Sequence, residues 1–170
     1  MTVDEINDLA IEQAQQAFAS CCSSESWINA MVAARPFSNE KDLHQKALDL
    51  WAVLSEADYL QAFEGHPKIG DVNSLRKKYA STKGLASNEQ SGVNSADEKT
   101  LIELARKNDE YFEKNGFIFI VFATGKSADQ MLEILNTRLP NDRVTEIKNA
   151  ALEQNKITAL RIDKLLGLAQ

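Results

Sequence analysis

Apolar side chains recur at helical spacing along most of the chain, which predicts an all-α protein. Residues three or four positions apart share a helix face, and two segments show this spacing clearly. The residues concerned are Ile6, Ala10, Ala14 and Ala17 in the first segment, and Leu43, Ala47, Leu50, Trp51 and Leu54 in the second. Capping boxes, in which Ser or Thr precedes Glu or Gln by three positions, mark helix starts at Thr2, Ser95 and Ser127.

Together with the positions of Gly and Pro, these signals predict about eight helices in a single compact domain over residues 1–170. One helix follows Thr2, and the others cover 25–34, 40–54, 56–64, 71–80, 96–115, 128–139 and 141–168. The stretch 81–95 is rich in Ser, Gly and Asn and is predicted to be a loop.

One segment, residues 117–123, departs from the helical pattern. Its sequence Phe-Ile-Phe-Ile-Val-Phe-Ala is a continuous run of strand-forming residues, but no second strand is predicted that could pair with it. Buried backbone groups need hydrogen-bond partners. The segment is therefore either the start of a helix, an extended backbone beside a ligand pocket, or a plain part of the core.

Composition narrows the class of protein. The 170 residues include 44% apolar residues but only 7 Gly and 3 Pro, which favours long helices with few tight turns. The net charge of −6 argues against nucleic acid as the main ligand. Cys21 and Cys22 are adjacent and form no disulfide framework. No signal peptide is visible, and no apolar run approaches the ~20 residues that cross a bilayer. We expect a cytoplasmic protein that does not bind membranes.

The most informative motif is His66-Pro67-Lys68-Ile69-Gly70, preceded by Gly65. Gly65 is a natural stop for the preceding helix, and Pro67 favours an extended conformation at His66. The imidazole is therefore expected on a bend between helices. Histidine has the side-chain pKa closest to neutral pH, which suits proton transfer. The alternative is an ordinary surface or capping histidine.

Two further places carry candidate chemistry. In Ser87-Asn88-Glu89-Gln90 a carboxylate stands beside a carboxamide, so Glu89 could accept a proton and Gln90 could orient a ligand by hydrogen bonds. The alternative is a solvated loop without a chemical role. Arg161 lies four positions from both Ile157 and Leu165, which predicts that it faces the core side of its helix. A buried guanidinium needs an anion, either an internal carboxylate or a substrate carboxylate.

Two other kinds of site are not supported by the sequence. Thr124-Gly125-Lys126-Ser127 resembles the end of a phosphate-binding loop, but Ile120 stands where that pattern requires Gly. Metal binding is also disfavoured, because His44 and His66 are 22 positions apart and no Cys or carboxylate stands at ligand spacing.

In their order and spacing, these motifs resemble one family, the 2-oxo-4-hydroxy-4-carboxy-5-ureidoimidazoline (OHCU) decarboxylases of urate breakdown. The resemblance covers nearly the whole chain. Its motifs are Trp27 with Arg35-Pro36-Phe37, residues 65–70, residues 87–90, Asn115-Gly116 with Phe117-Ile118-Phe119, residues 125–127 before a helix ending in Arg138-Leu139, and residues 157–162.

The resemblance implies an all-α fold and a carboxy-lyase that converts OHCU to (S)-allantoin without a metal or an organic cofactor. It implies His66 as the proton donor, Glu89 as its catalytic partner and Arg161 as the group that binds the substrate anion. The substrate-binding residues it implies are Pro67, Ser87, Gln90, Ile118, Phe119, Ile120, Val121 and Phe122. The family includes dimers, so a homodimer is one alternative for the oligomeric state of this chain.

Two competing interpretations remain at this stage. One is a non-catalytic helical interaction module that would use the 81–95 loop as a docking surface. The other is a hydrolase of the same pathway in which His66 and Glu89 activate water, so that the product would form without release of CO₂.

Overall fold

The computed structural model describes the backbone at residues 1–68, 71–80 and 90–170, and the side chains at the same residues except 90–97. In this part of the chain there are nine helices and no strand, which confirms the predicted all-α class. The helices are α1 (Val3–Asp8), α2 (Ile11–Ala19), α3 (Glu25–Ala33), α4 (Glu40–Ala52), α5 (Glu56–Glu64), α6 (Val72–Ala80), α7 (Gln90–Asn115), α8 (Ala128–Arg138) and α9 (Arg143–Leu165).

The first predicted helix is in fact two helices, α1 and α2, which explains why nine are found where about eight were expected. Leu9 and Ala10 are extended between them. The Arg35 guanidinium donates hydrogen bonds to the carbonyls of Ile6 (3.0 Å) and Leu9 (2.7 Å), which have no partner at the end of α1. This cap comes from a distant residue, so the local pattern could not reveal it.

Other boundaries agree with the sequence, with two exceptions. The capping boxes at Thr2 and Ser127 are present. Ser95, in contrast, lies inside α7, which begins at Gln90 rather than at 96; extension of an existing helix adds one hydrogen bond per residue, and this outweighs weak local preferences. The last helix ends at Leu165 rather than 168, before Gly167 with its positive φ of 73°. Most of the predicted loop, 81–89, lies outside the described residues.

The chain divides into two compact units, and the single-domain organisation stays a prediction. The first unit comprises Met1–His66 and Ile147–Gln170. Within it, α3 packs against α2, α4 and α5. Trp27 is fully buried; its ring meets Phe18 edge-to-face at 6.0 Å, and its indole N–H donates to the Ala47 carbonyl at 3.1 Å. Trp51 likewise donates to the carbonyl of Ala151, which ties α4 to α9.

The second unit comprises Pro67–Glu146, and its core contains a buried charge network. Here α7 packs against α6 and α8. Arg138 Nε donates to Glu146 Oε1 at 2.8 Å, and the Tyr111 hydroxyl donates to the same oxygen at 2.7 Å. Asn141 donates to the second Glu146 oxygen at 3.0 Å. Burial and the bond to Glu146 raise the pKa of Tyr111, so its hydroxyl keeps its proton.

The unusual run after α7 forms neither a helix nor a strand. Phe117, Phe119 and Ile120 are buried, and both phenyl rings lie against Tyr111 at 5.8 and 5.4 Å. Arg138 Nη1 donates to the Ile120 carbonyl at 2.5 Å. Of the three alternatives, the start of a helix is therefore wrong, because the segment is held by this network rather than by a hydrogen-bond ladder of its own.

Replacement of Glu146 by Gln tests this network. We expect Glu146→Gln to lower the free energy of unfolding by about 3 kcal/mol, because the buried charge of Arg138 loses its partner. Glu103→Gln is the matched control; its exposed pairs with Arg106 and Lys107 should contribute less than about 1 kcal/mol. Urea unfolding at pH 7 measures both, and equal losses would contradict the assigned role.

Candidate functional site

The position of His66 is set by the end of α5. Ser55 caps the start of this helix with a capping box, and the backbone N–H of His66 bonds to the Phe63 carbonyl at 3.1 Å after the last turn. The helix ends at Gly65 as expected, but Gly65 has an ordinary helical φ of −69°, so this helix end does not use the left-handed conformation that commonly favours glycine. A Cβ at Gly65 would lie 2.0 Å from Ser23 Oγ. Glycine is thus needed for the close approach of Ser23.

His66 hydrogen bonds to a buried partner on α9. Its Nε2 lies 2.5 Å from Gln154 Oε1, and Gln154 Nε2 in turn donates to Thr158 Oγ1 at 3.1 Å. Gln154 is fully buried and Thr158 is 4% exposed, whereas His66 is half-buried. The imidazole therefore has one edge fixed in the first unit.

The surroundings of His66 favour the neutral imidazole. Burial lowers its pKa below the ordinary value of 6.5, and the positive charge of Arg161 lowers the pKa further. The hydrogen bond to Gln154 acts in the opposite direction. Because the pKa of His66 is lower in the folded than in the unfolded protein, the free energy of unfolding decreases as the pH falls below 6.5. At higher pH the ring is neutral in both states, so His66 has no such effect. His66 is thus uncharged at neutral pH.

Arg161 lies on α9, seven residues beyond Gln154, and is half-buried. Ile157 and Leu165 are also half-buried, so Arg161 flanks the buried stripe of the helix rather than facing the core; Ile162 occupies the core position. Its Nη1 donates to the Cys21 carbonyl at 3.3 Å. Among the described residues of the first unit no carboxylate pairs with it. The guanidinium therefore keeps donors that a substrate anion can use.

The two cysteines border this cluster but do not add a nucleophile. Cys21 and Cys22 are both free and fully buried. Burial raises the pKa of Cys21 to about 11 and also raises that of Cys22. Both sulfurs therefore remain protonated thiols at neutral pH, and a thiol is a poor nucleophile.

The remaining predicted site residues belong to the second unit or lie outside the described residues. Pro67 is exposed. Ser87 and Glu89 lie outside the described residues, and only the backbone of Gln90 is described, as the first residue of α7. Phe119 and Ile120 are buried, whereas Ile118, Val121 and Phe122 are half-buried. In this run the carbonyls of Ile120 and Phe122 accept bonds from Arg138 and Lys126.

The second unit also contains a cavity of about 760 Å³, and among the residues that the structure describes none of the predicted site residues lines it. Its charged side chains include Arg76 and Glu98, which form an ion pair with each other. The cavity therefore does not supply the chemistry expected of His66 and Arg161.

Neither a metal-ligand cluster nor a membrane-spanning helix occurs in the part of the chain that the structure describes. No group of three or more His, Cys, Asp or Glu side chains there is placed to hold a metal ion. Within the same residues, no helix is both long enough and apolar enough to cross a membrane.

Gln154 and Thr158 were missed by the sequence analysis. With Arg161 they stand at positions i, i+4 and i+7 of α9, a spacing that places polar side chains on one helix face. The available signal was a polar stripe beside the buried apolar residues Ala150, Ala151 and Ile162 of the same helix. The apolar neighbours Ile157 and Leu165 drew attention to Arg161 alone.

Comparison with known proteins identifies relatives over nearly the whole chain. The model of a family described as OHCU decarboxylase matches residues 7–163. The chain is 32% identical over 160 residues to the uric acid degradation bifunctional protein TTL of Arabidopsis thaliana, covering 94% of this chain and 49% of that protein. It is 26% identical to the bifunctional protein PucL of Bacillus subtilis, over 97% of this chain and 33% of PucL.

The chain thus spans about half the length of TTL and a third of PucL. It covers 92% of the 2-oxo-4-hydroxy-4-carboxy-5-ureidoimidazoline decarboxylase of Halalkalicoccus jeotgali, at 25% identity and over 97% of its own length.

Two solved structures share the fold. A crystal structure of OHCU decarboxylase in the presence of (S)-allantoin matches with a TM-score of 0.69 and 32% identity, over 88% of this chain and 96% of that one. A crystal structure of (S)-allantoin synthase matches with a TM-score of 0.72 over 98% of this chain and 54% of that one. At 15% identity the second match supports the fold alone.

Substitution of Arg161 tests the electrostatic environment of His66. We expect the pKa of His66 to lie below 6.5 in the wild type and to rise in Arg161→Met, while staying below 6.5 because burial persists. Lys164→Met, which removes an exposed charge from the same helix, is the matched control and should leave the pKa unchanged. NMR titration of the imidazole measures this, with His44→Gln used for assignment. Identical titrations of Arg161→Met and wild type would contradict the prediction.

Proposed function

Because this chain belongs to the OHCU decarboxylase family, we propose that it decarboxylates OHCU to (S)-allantoin in urate breakdown. The observation that carries the proposal is the placement of a neutral imidazole, His66, in the field of Arg161, whose guanidinium keeps donors free for an anion. The proposal concerns this activity alone and includes no second activity of the longer bifunctional relatives.

The substrate itself can accept the electron pair that CO₂ leaves behind. Carbon 4 of its ring carries both the hydroxyl and the carboxylate, and carbon 2 is a carbonyl, so the ring double bond of the imidazoline joins carbon 5 to nitrogen. When the bond between carbon 4 and the carboxylate breaks, its electron pair forms a double bond between carbons 4 and 5. The electron pair of the carbon 5–nitrogen double bond then moves to the ring nitrogen, which takes a proton from solvent. The product is an enol, and no cofactor is needed as an electron sink. The protein's task is positioning and electrostatics.

Each site residue has a role in this scheme. Arg161 binds the substrate anion, and its two parallel donors suit a carboxylate. Glu89 is the catalytic partner of His66 and, with Gln90, orients the hydroxyl and ureido groups. Pro67, Ser87 and the run 118–122 line the substrate site, and in this run the carbonyls of Ile120 and Phe122 are held by Arg138 and Lys126.

His66 delivers the proton that sets the handedness of the product. Carbon 5 becomes a stereocentre when the enol returns to the carbonyl form. Because the imidazole edge at Nε2 is held by Gln154, the ring can approach carbon 5 from one face only. Protonation from that face gives a single enantiomer, which the proposal identifies as (S)-allantoin.

A stereochemical assay tests the proposal. OHCU is generated from urate by the two preceding enzymes, and the circular dichroism of allantoin is followed with and without this protein. Rapid formation of one enantiomer, together with CO₂, is expected. Product formation without CO₂ would favour the hydrolase, and a trace identical to the slow uncatalysed reaction would favour the interaction module.

We expect His66→Asn to lower kcat by ~10²-fold or more with little change in KM, since general acid–base catalysis is worth this much. His44→Asn is the matched control; His44 lies on α4 and hydrogen bonds to Asp163, outside the proposed chemistry, so its replacement should leave kcat unchanged. Near-normal turnover by a folded His66→Asn variant would refute the role of His66.

For Arg161→Ala we expect mainly a rise in KM, by about 10-fold or more, because a charge-assisted hydrogen bond to the substrate anion is lost. Lys164→Ala, an exposed cation on the same helix, should leave KM unchanged. Steady-state kinetics with circular-dichroism detection measure both values. An unchanged KM in Arg161→Ala would show that the anion is bound elsewhere.

A further inference from the structure

We propose that Gln154 is a positioning residue that, with Thr158, holds His66 in the tautomer with its proton on Nε2, so that the Nδ1 lone pair faces the substrate. The inference rests on the proposed function for its chemical consequence, but the tautomer itself is a property of the protein without substrate. His66 then acts first as a base and only afterwards as the proton donor.

The geometry of the His66–Gln154 contact carries the argument. Gln154 Oε1 lies 2.5 Å from His66 Nε2, and a carbonyl oxygen can only accept a hydrogen bond. The Nε2 atom must therefore carry the proton. In a neutral imidazole the other nitrogen, Nδ1, then has a free lone pair. Because Gln154 is fully buried, no water competes for its oxygen.

A second hydrogen bond holds the other end of the Gln154 amide. Its Nε2 donates to Thr158 Oγ1 at 3.1 Å, four residues along the same helix. With its oxygen on His66 and its nitrogen on Thr158, both ends of the amide are engaged, and hydrogen bonds run from His66 through Gln154 to Thr158.

Rotation of this amide by half a turn would reverse the requirement at His66. The amide nitrogen would then face the imidazole and donate to an unprotonated Nε2, so the proton of the ring would lie on Nδ1. The orientation in the structure, with Gln154 Oε1 toward His66, corresponds to the tautomer with the proton on Nε2, and measurement of the ring nitrogens distinguishes the two.

This tautomer lets one nitrogen move one proton in both directions. After CO₂ has left, the enol hydroxyl on carbon 4 gives its proton to Nδ1, and the O–H electron pair becomes part of the new carbonyl. The electron pair between carbons 4 and 5 then takes the same proton from Nδ1 and forms the new C–H bond. His66 ends as it began, and the intermediate imidazolium is stabilised by Gln154 Oε1 on its Nε2–H.

The positive charge of Arg161, in the first unit, destabilises this imidazolium and keeps it short-lived. Arg161, on α9, is the charged residue that shifts the titration of His66, and it disfavours the protonated ring. The two neighbouring thiols, Cys21 and Cys22, are neutral at pH 7. His66 therefore returns its proton readily.

The first test needs no substrate. Nitrogen NMR of the full-length protein at pH 7.5, with His44→Gln used to assign the two histidines, reports which ring nitrogen of His66 carries the proton. We expect a protonated Nε2 and an unprotonated Nδ1. A proton on Nδ1 overturns the inference, whatever the activity of the protein.

The second test separates the tautomer from general stability. Gln154→Leu removes the acceptor, and we expect kcat to fall by about 10- to 100-fold with KM nearly unchanged, as is common when a group orienting a histidine is lost. Gln45→Leu, at an exposed position of α4, is the matched control and should leave both kcat and the His66 spectrum unchanged. An unaltered kcat in Gln154→Leu contradicts the inference.

Gln154→Glu keeps the shape of the side chain and covers the case in which Gln154→Leu fails to fold. A carboxylate at this distance should raise the pKa of His66 by about one to three pH units. If His66 starts as a base, the acidic limb of the kcat/KM profile moves to higher pH by the same amount, and activity at pH 7 falls. If His66 starts as an acid, activity at pH 7 rises instead, which overturns the inference.

The two proposals fail in different ways. If neither the wild type nor any variant forms (S)-allantoin, the proposed function is wrong, while the tautomer seen by NMR stands or falls separately. If the wild type is active but His66 carries its proton on Nδ1, the function holds and the role of Gln154 is wrong.

Discussion

The hydrogen bond between His66 and Gln154 is the interaction on which the candidate site in the first unit depends. It joins the end of α5 to the middle of α9, two elements 88 residues apart in sequence. Gln154 could not be buried without partners, because a carboxamide in an apolar core costs free energy unless its groups are bonded. His66 and Thr158 supply those partners, so the core and the candidate site share the same hydrogen bonds.

In the second unit the buried polar group that needs hydrogen-bond partners is a charged one. Glu146 is fully buried, and its carboxylate accepts bonds from Arg138, Tyr111 and Asn141. Arg138 also holds the Ile120 carbonyl, so the network that neutralises a buried charge fixes the irregular run proposed to line the substrate site. Such networks are weak evidence for stability as a whole, but removal of one member is costly. Their consequence here is a backbone segment held in place without strand pairing.

Helix α9 belongs to both arrangements. It begins at Arg143, contributes Glu146 to the second unit, and carries Gln154, Thr158 and Arg161 in the first. Because these polar side chains stand at i, i+4 and i+7, the proposed positioning residue Gln154 and the proposed anion-binding residue Arg161 lie on one helix face. Because both residues lie on one regular helix, the spacing between Gln154 and Arg161 along the helix axis is fixed more rigidly than it would be in a loop.

The sequence by itself determined the helical class, most helix boundaries and the identity of His66 and Arg161 as candidate residues. Apolar spacing and capping boxes act over a few residues, so the printed sequence contains them in full. Tertiary structure alone decided where α1 ends, because Arg35 caps it from 26 to 29 positions away, and why Gly65 is glycine, because Ser23 approaches it. It also decided the neutral state of His66 and its hydrogen bond to Gln154. Burial and hydrogen bonds between residues distant in sequence set both properties, and no local pattern records which residues will meet.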